Sequence, residues 1–192
     1  MTKQTETTFT CPWWLLFTFD NPLRRLVHDP IKILRPYVKP GDTVLDVGCG
    51  MGYFSLGLAE LVGEKGRVIV ADLQPQMLAG LSMRVKAAGL ESRIQSHLSE
   101  PDKMGVNEPV DFALAFWMVH EVRKRREFLQ EVYGLVKPGG KFLVVEPIIH
   151  VTAADFERTI ALSCEIGFTV GESLRVAASR AICFRKSALR GQ

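Results

Sequence analysis

The chain has 192 residues, 24 Lys and Arg against 21 Asp and Glu, a formal net charge of +3, and 47% hydrophobic residues. That length suits one α/β domain better than two, and the proportions exclude disordered, collagen-like and solenoid readings for the bulk of the chain. The near-balanced charge offers no dense basic face of the kind that marks a dedicated nucleic-acid binder.

The first elements are unlike the rest. Met1 to Thr10 is polar and lacks a secretory pattern. The run Trp13-Trp14-Leu15-Leu16-Phe17-Thr18-Phe19 falls far short of the roughly 20 apolar residues that span a bilayer. Stable membrane insertion is therefore not expected, while peripheral contact, a homodimer patch or cover for a sheet edge stay open for this run. Cys11, Cys49, Cys164 and Cys183 are scattered without a Cys-x-x-Cys pair. Neither a disulfide framework nor a metal site is expected, and a reducing, cytoplasmic location follows.

From about residue 40, short β-branched runs alternate with amphipathic stretches, the signature of βαβ units on a parallel sheet. A strand is predicted over 43–47 after the Pro40-Gly41-Asp42 turn, then a helix over 52–62. A second strand over 67–71 ends at Asp72. Pro75 suits the first turn of the next helix, and Gly89 suits its C-terminal stop. Strands follow near 93–98 and 110–116, then a helix over 126–136. Lys137-Pro138-Gly139-Gly140 reads as a strong stop before a strand over 141–146. Thr152 with Asp155 resembles a capping box for a helix to about 166. The stretches 168–176 and 179–185 are joined by too short a link for a parallel crossover, so an antiparallel pair is expected at the sheet's end.

Chemistry concentrates after the first strand. Asp46-Val47-Gly48-Cys49-Gly50-Met51-Gly52 places three glycines where backbone can approach a ligand closely and adopt positive φ. The following helix N-terminus adds free N–H groups. Asp72 stands about 20 residues on, where an acceptor for ribose hydroxyls belongs. The spacing is Gly-x-Gly-x-Gly, not the Gly-x-Gly-x-x-Gly that suits a pyrophosphate. Asp46, two residues before the first glycine, suits an ammonium or sulfonium group better than a phosphate. No Gly-Lys-Ser/Thr loop occurs.

Four segments in order carry a resemblance. Val44 to Ser55 is similar to the first motif of class I S-adenosylmethionine-dependent methyltransferases, nearest their small-molecule, quinone-biosynthesis-like "type 11" branch. Val70-Ala71-Asp72-Leu73 resembles the acid that follows that motif. Asp111 to Phe116 resembles the fourth-strand motif, and Leu135 to Lys141 the family's "LKPGG" turn. The resemblance implies an α/β, Rossmann-like, doubly wound seven-stranded sheet, parallel with an antiparallel C-terminal strand, in the order 3-2-1-4-5-7-6. It implies S-adenosyl-L-methionine as cofactor and S-adenosyl-L-homocysteine as product. By resemblance, Gly48 and Gly50, with Cys49 and Gly52 in the same loop, wrap the methionine part, and Asp46 lies beneath its amino end. Asp72 takes the ribose hydroxyls, Leu73 and Met77 line the adenine, Leu98 or Ser99 serves its amino group, and Ala115 and Phe116 supply backbone near the ammonium.

His120-Glu121 follows the fourth strand, where acceptor and methyl group meet. His120 is a candidate general base, with Glu121 beside it; the alternative is that it only orders a helix start. Cys49 reads as a small buried filler because a nucleophile would want a basic neighbour. Arg123-Lys124-Arg125-Arg126 reads as a solvated helix start. Phe116-Trp117-Met118-Val119 stands where nucleic-acid amino methylators carry an Asn/Asp-Pro-Pro-aromatic motif. Arsenite chemistry would need converging cysteines, which this spacing does not offer. The expected organisation is a lid over 1–40, a cofactor-binding domain over 41–187 and a tail over 188–192. The lid would bring Trp13, Trp14, Arg24 and His28 against Trp117 and Met118 around a small, largely apolar acceptor. A protein or RNA acceptor, and a non-catalytic cofactor-binding module, are the alternatives.

Overall fold

The strands are apolar on both faces, and such strands need cover on both sides. The computed structural model, which describes residues 22–188, meets that need with a seven-stranded sheet between two helical layers. In chain order the elements are α1 (Pro22–Val27), α2 (Pro30–Leu34), β1 (Thr43–Val47), α3 (Tyr53–Val62), β2 (Arg67–Asp72), α4 (Pro75–Ala88) and β3 (Ile94–Leu98). Then come β4 (Val110–Phe116), a 3₁₀ turn (Val119–Glu121), α5 (Arg125–Leu135), β5 (Val136–Pro147), α6 (Ala153–Ile166), β6 (Phe168–Ser173) and β7 (Ser179–Lys186).

The strand order is β3-β2-β1-β4-β5-β7-β6, parallel from β3 to β5, with β7 antiparallel to both β5 and β6. This matches the expected order and the antiparallel end. The period-2 alternation of each strand splits the core in two. Val44, Val68, Phe112, Leu114 and Leu143 pack with Leu58 of α3 and Leu81 of α4 on one face. Leu45, Ile69, Ala113, Phe142 and Val144 pack with Leu129 of α5 and Phe156 of α6 on the other. The chain reverses its winding between neighbouring strands β1 and β4. In open α/β sheets the carboxyl ends of such strands form the ligand crevice.

Two predicted boundaries differ from the structure. The Lys137-to-Gly140 stop lies inside β5, as an outward bulge: Val110 pairs with Val136, and Phe112 pairs with Lys141. Pro138 has no N–H to give the ladder, and Gly139 takes φ +82°, so the chain leaves the sheet and returns without ending the strand. Lys137 Nζ closes the bulge on Asp111 at 2.8 and 2.9 Å, and Asp111 Oδ2 also accepts from Thr43 N at 2.9 Å. The sixth strand stops at Ser173 instead of 176, after a register shift between Val170 and Ser173. The residues from Leu174 to Ala178 form a link over the carboxyl end of β5, with Ile148 N donating to Ala178 O. Thr152 caps α6 as expected, its Oγ1 accepting from Asp155 N at 3.1 Å.

Candidate active site

The glycine turn forms because β1 must hand its chain to α3 without losing hold of β2. Gly48 N and Cys49 N both donate to Ala71 O, at 2.8 and 3.3 Å. Gly48, Gly50 and Gly52 all take positive φ, at +65°, +54° and +85°. At Gly52 a Cβ would lie 1.9 Å from Leu81 Cδ1 and at Gly48 2.9 Å from Met118, so both positions also need the missing side chain for packing.

Two carboxylates anchor this turn. Asp46 is 3% exposed and accepts from Ser55 Oγ at 2.6 Å. Burial pushes its carboxyl up to about 7, with the Ser55 hydrogen bond opposing and the Asp72 charge adding. Asp72 accepts from Gly50 N through Oδ2 and from Gln74 N through Oδ1, both at 2.9 Å. Burial raises its pKa too, and these backbone donors work against the rise. Each Asp72 oxygen keeps a lone pair for a further donor.

Beside Asp72 the surface changes character. Leu73 and Leu98 are 44% and 54% exposed, and Leu98 is the register partner of Asp72 across β2 and β3. A carboxylate with spare lone pairs, flanked by uncovered leucines and a positive-φ glycine turn, fits a nucleoside whose ribose hydroxyls meet the acid and whose base meets the apolar shelf. The residues present therefore fit S-adenosylmethionine.

The other half of the site lies after β4. Glu146, at the end of β5, is 2% exposed. Its Oε1 accepts from Val119 N at 3.0 Å, and its Oε2 meets His120 N at 3.1 Å and His120 Nδ1 at 2.7 Å. One carboxylate thus folds the 3₁₀ turn and fixes the imidazole. Burial tends to lower the His120 pKa, but the hydrogen bond and charge of Glu146, helped by Glu121 and opposed by Arg125, leave it raised. The His150 ring stacks on His120 at 5.8 Å between centroids.

Trp117, between β4 and this turn, holds φ +59°, a conformation that an indole side chain rarely adopts. Its N donates to Val145 O at 2.7 Å, and its indole Nε1 donates to Ser179 Oγ at 2.9 Å. The N-terminal helices meet this wall. Arg24 lies 4.3 Å over the Tyr53 ring and 5.4 Å over Trp117, and His28 packs edge-on against Phe116 and Trp117. His28 Nε2 contacts Ala177 O at 2.8 Å, and burial lowers its pKa.

A family model described as a methyltransferase domain matches residues 44–140, half of the chain. The chain belongs to the methyltransferase-domain family. Family and fold imply S-adenosylmethionine as the cofactor. A demethylmenaquinone methyltransferase from Bacillus cytotoxicus is 34% identical over 109 residues, covering 57% of this chain and 46% of that protein. A ribosomal protein L11 methyltransferase from the same organism is 30% identical, covering 90% of this chain and 58% of that protein. The chain spans about half the length of the curated relatives that it matches. Among solved structures, a SAM-dependent methyltransferase from Aquifex aeolicus superposes with a TM-score of 0.80 at 27% identity, covering 91% of this chain and 97% of that one.

Within this methyltransferase domain the structure gathers Asp46, Gly48, Cys49, Gly50, Gly52, Asp72, Leu73, Leu98 and Ser99 around one turn, where Ser99 N donates to Asp72 O at 2.9 Å. Met77, expected on the adenine shelf, is buried at the start of α4. Ala115 is buried in the core beside Val47, while Phe116 packs on Phe54 at 4.0 Å. The Cys49 thiol is buried and raised well above its usual value, a poor nucleophile. Glu121 lies in the 3₁₀ turn beside His120. Trp13, Trp14 and Cys11 fall outside the described residues. Of the expected lid, Arg24 and His28 reach the aromatic wall, whereas Leu34, Tyr37 and Val38 join the core, Tyr37 stacking on Phe112 at 5.9 Å.

Sequence reasoning missed Glu146, Ser55 and Ser179. Glu146 left one signal, an acid closing the apolar run from Phe142 to Val145. The other two left none. The basic run is largely spent on neighbours: Lys124 pairs with Asp102, Arg126 with Glu165, and Arg125 donates to Thr159. Among the described residues no helix is long and apolar enough to cross a membrane.

Proposed function

We propose that this protein transfers a methyl group from S-adenosylmethionine to a small acceptor carrying an ionisable X–H group, with His120 as the base. The observation that carries this reading is the buried Glu146 carboxylate 2.7 Å from His120 Nδ1, just beyond the crevice between β1 and β4. When bound, S-adenosylmethionine supplies the activated methyl and leaves as S-adenosylhomocysteine.

The protein's own part is positioning and proton transfer. Glu146 holds Nδ1, which leaves Nε2 to accept the acceptor's proton as the X–CH₃ bond forms and the sulfur–methyl bond breaks. The charge of Glu146 stabilises the resulting imidazolium. Asp46 and Asp72 hold the cationic and hydroxyl ends of the cofactor. Trp117 and Met118 exclude water from the transfer path, and alignment of the reacting groups supplies much of the rate. A small acceptor is supported by the aromatic wall of Tyr53, Phe54 and Trp117 and by the basic run's internal pairing.

Isothermal titration with S-adenosylhomocysteine tests the cofactor half, with binding expected in the wild type and weakened by about 10- to 100-fold in Asp72→Ala. Absence of binding at millimolar ligand sinks the reading. A screen of phenols, quinols, thiols and hydroxy acids for S-adenosylhomocysteine release tests the acceptor half. Turnover should fall at least a hundredfold in His120→Ala. Undiminished turnover in that variant removes His120 from the chemistry, and methylation confined to protein or RNA fractions removes the small acceptor.

A further inference from the structure

Beyond Trp117 and Glu146, the same end of the sheet opens into a cleft of about 330 Å³ between the first turns of α6 and the link from β6 to β7. That volume suits a small organic molecule. Its walls are of two kinds. Phe156 and Val176, 6% and 7% exposed, show the cleft only the edges of their side chains, whereas Arg175, Arg180 and Ser179 line its polar side.

Ion pairing differs among the arginines. Arg67, Arg126, Arg158 and Arg185 each close an ion pair. Arg175 and Arg180 close none among the described residues, and Arg180 Nε is buried without an acceptor. Glu157, also on the lining, makes no ion pair with either. Glu146 is the register partner of Arg180, yet its oxygens are taken by Val119 and His120. Two arginines therefore line one cleft with no protein carboxylate bonded to them among the described residues. Guanidinium forks are matched to carboxylate and phosphate oxygens.

The cleft adjoins the transfer site. Ser179, on its lining, holds the Trp117 indole N–H, and Arg180 sits beside the strand end that carries Glu146. We propose that Arg175 and Arg180 bind an anionic group of the methyl acceptor, a carboxylate or a phosphate, while the acceptor's apolar body lies on Phe156 and Val176. The inference rests on the reading of the protein as a small-molecule methyltransferase and narrows that acceptor to an amphiphilic acid.

The test is titration of the full chain, saturated with S-adenosylhomocysteine, with benzoate, phenyl phosphate and neutral benzamide. At least one acid should bind at least tenfold more tightly than benzamide, and the stronger of the two identifies carboxylate or phosphate. Arg175→Gln alone should weaken that acid about fivefold, and Arg175→Gln with Arg180→Gln at least tenfold. S-adenosylhomocysteine affinity should not move in either variant, and Arg175→Lys should restore part of the loss. Acids that bind no better than benzamide, or equally well to the double variant, overturn the site. The exposed Arg175→Gln decides the matter should the double variant fail to fold. Failure of S-adenosylhomocysteine to bind wild-type protein overturns the functional reading instead, and the same acids titrated without it still decide the cleft.

Discussion

The proposed cofactor end and the proposed acceptor end of the crevice are built in opposite ways. At the cofactor end, Asp46, Gly48, Gly50 and Gly52 come from one stretch of seven residues, with Asp72 one strand away. Backbone geometry does most of the work there, and few side chains could be exchanged. At the acceptor end His120 comes from the turn after β4, Glu146 from β5, Ser179 and Arg180 from β7 and Arg24 from α1. No two of these elements are adjacent in sequence except through long crossovers. The cofactor end is thus a local device, and the acceptor end is an assembly whose parts meet only in the folded sheet.

The comparison makes the two ends separable. Glu146→Ala should have the largest effect, because it orphans two backbone donors and one imidazole at once. A loss of about 3–5 kcal/mol in unfolding free energy is expected in denaturant titrations. Glu146→Gln keeps the shape and removes the charge. The His120 pKa should then fall, moving the low-pH limb of the turnover profile to lower pH, which NMR titration of the imidazole would also show. A limb that stays in place would detach Glu146 from the chemistry.

Asp46 sharpens the cofactor end. Its folded carboxyl titrates at about 7 against 3.8 unfolded, so the folded chain holds the extra proton between those values. Stability from this group is fully present below the lower value, falls as pH rises through the window and is flat above it. The span is of order 4 kcal/mol, and Asp46→Asn should remove that slope in pH-dependent melts. Binding of a cationic ammonium favours the ionised acid, so S-adenosylhomocysteine affinity should grow from pH 6 to 8 in wild type alone.

Asp72→Ala comes next. Loss of the charged acceptor should weaken S-adenosylhomocysteine by about 10- to 100-fold in titration calorimetry. Binding of acids at the Arg175–Arg180 cleft should not change, which is the direct check that the ends are independent. Smallest of all, Thr152→Ala removes the cap of α6 and should cost about 1 kcal/mol in melting experiments without moving either ligand.

How much was legible follows from the same contrast. A glycine that must take positive φ and an acid closing a buried strand leave their mark wherever they occur. The turn after β1, the Asp72 strand end and the parallel character of the sheet were therefore readable from spacing, whereas the strand order rested on the family resemblance. The Lys137-to-Gly140 segment misled because Pro and Gly signal departure from a ladder. Whether the chain returns to the same strand depends on a partner, here Asp111 holding Lys137. Met77 misled for a related reason: helical periodicity gives a buried face but not what lies over it.

By itself, then, the sequence determined the α/β architecture, the glycine loop and its two acids, because these depend on backbone conformation and on neighbours within a few dozen residues. Only the tertiary structure decided which residues meet at the proposed acceptor end. The antiparallel return of β7 beside β5 sets Ser179 and Arg180 against Pro147 and Glu146, and the crossover between β4 and β5 sets Glu146 under His120. Those contacts join residues 26 to 34 positions apart, and no local pattern encodes which buried acid meets which base.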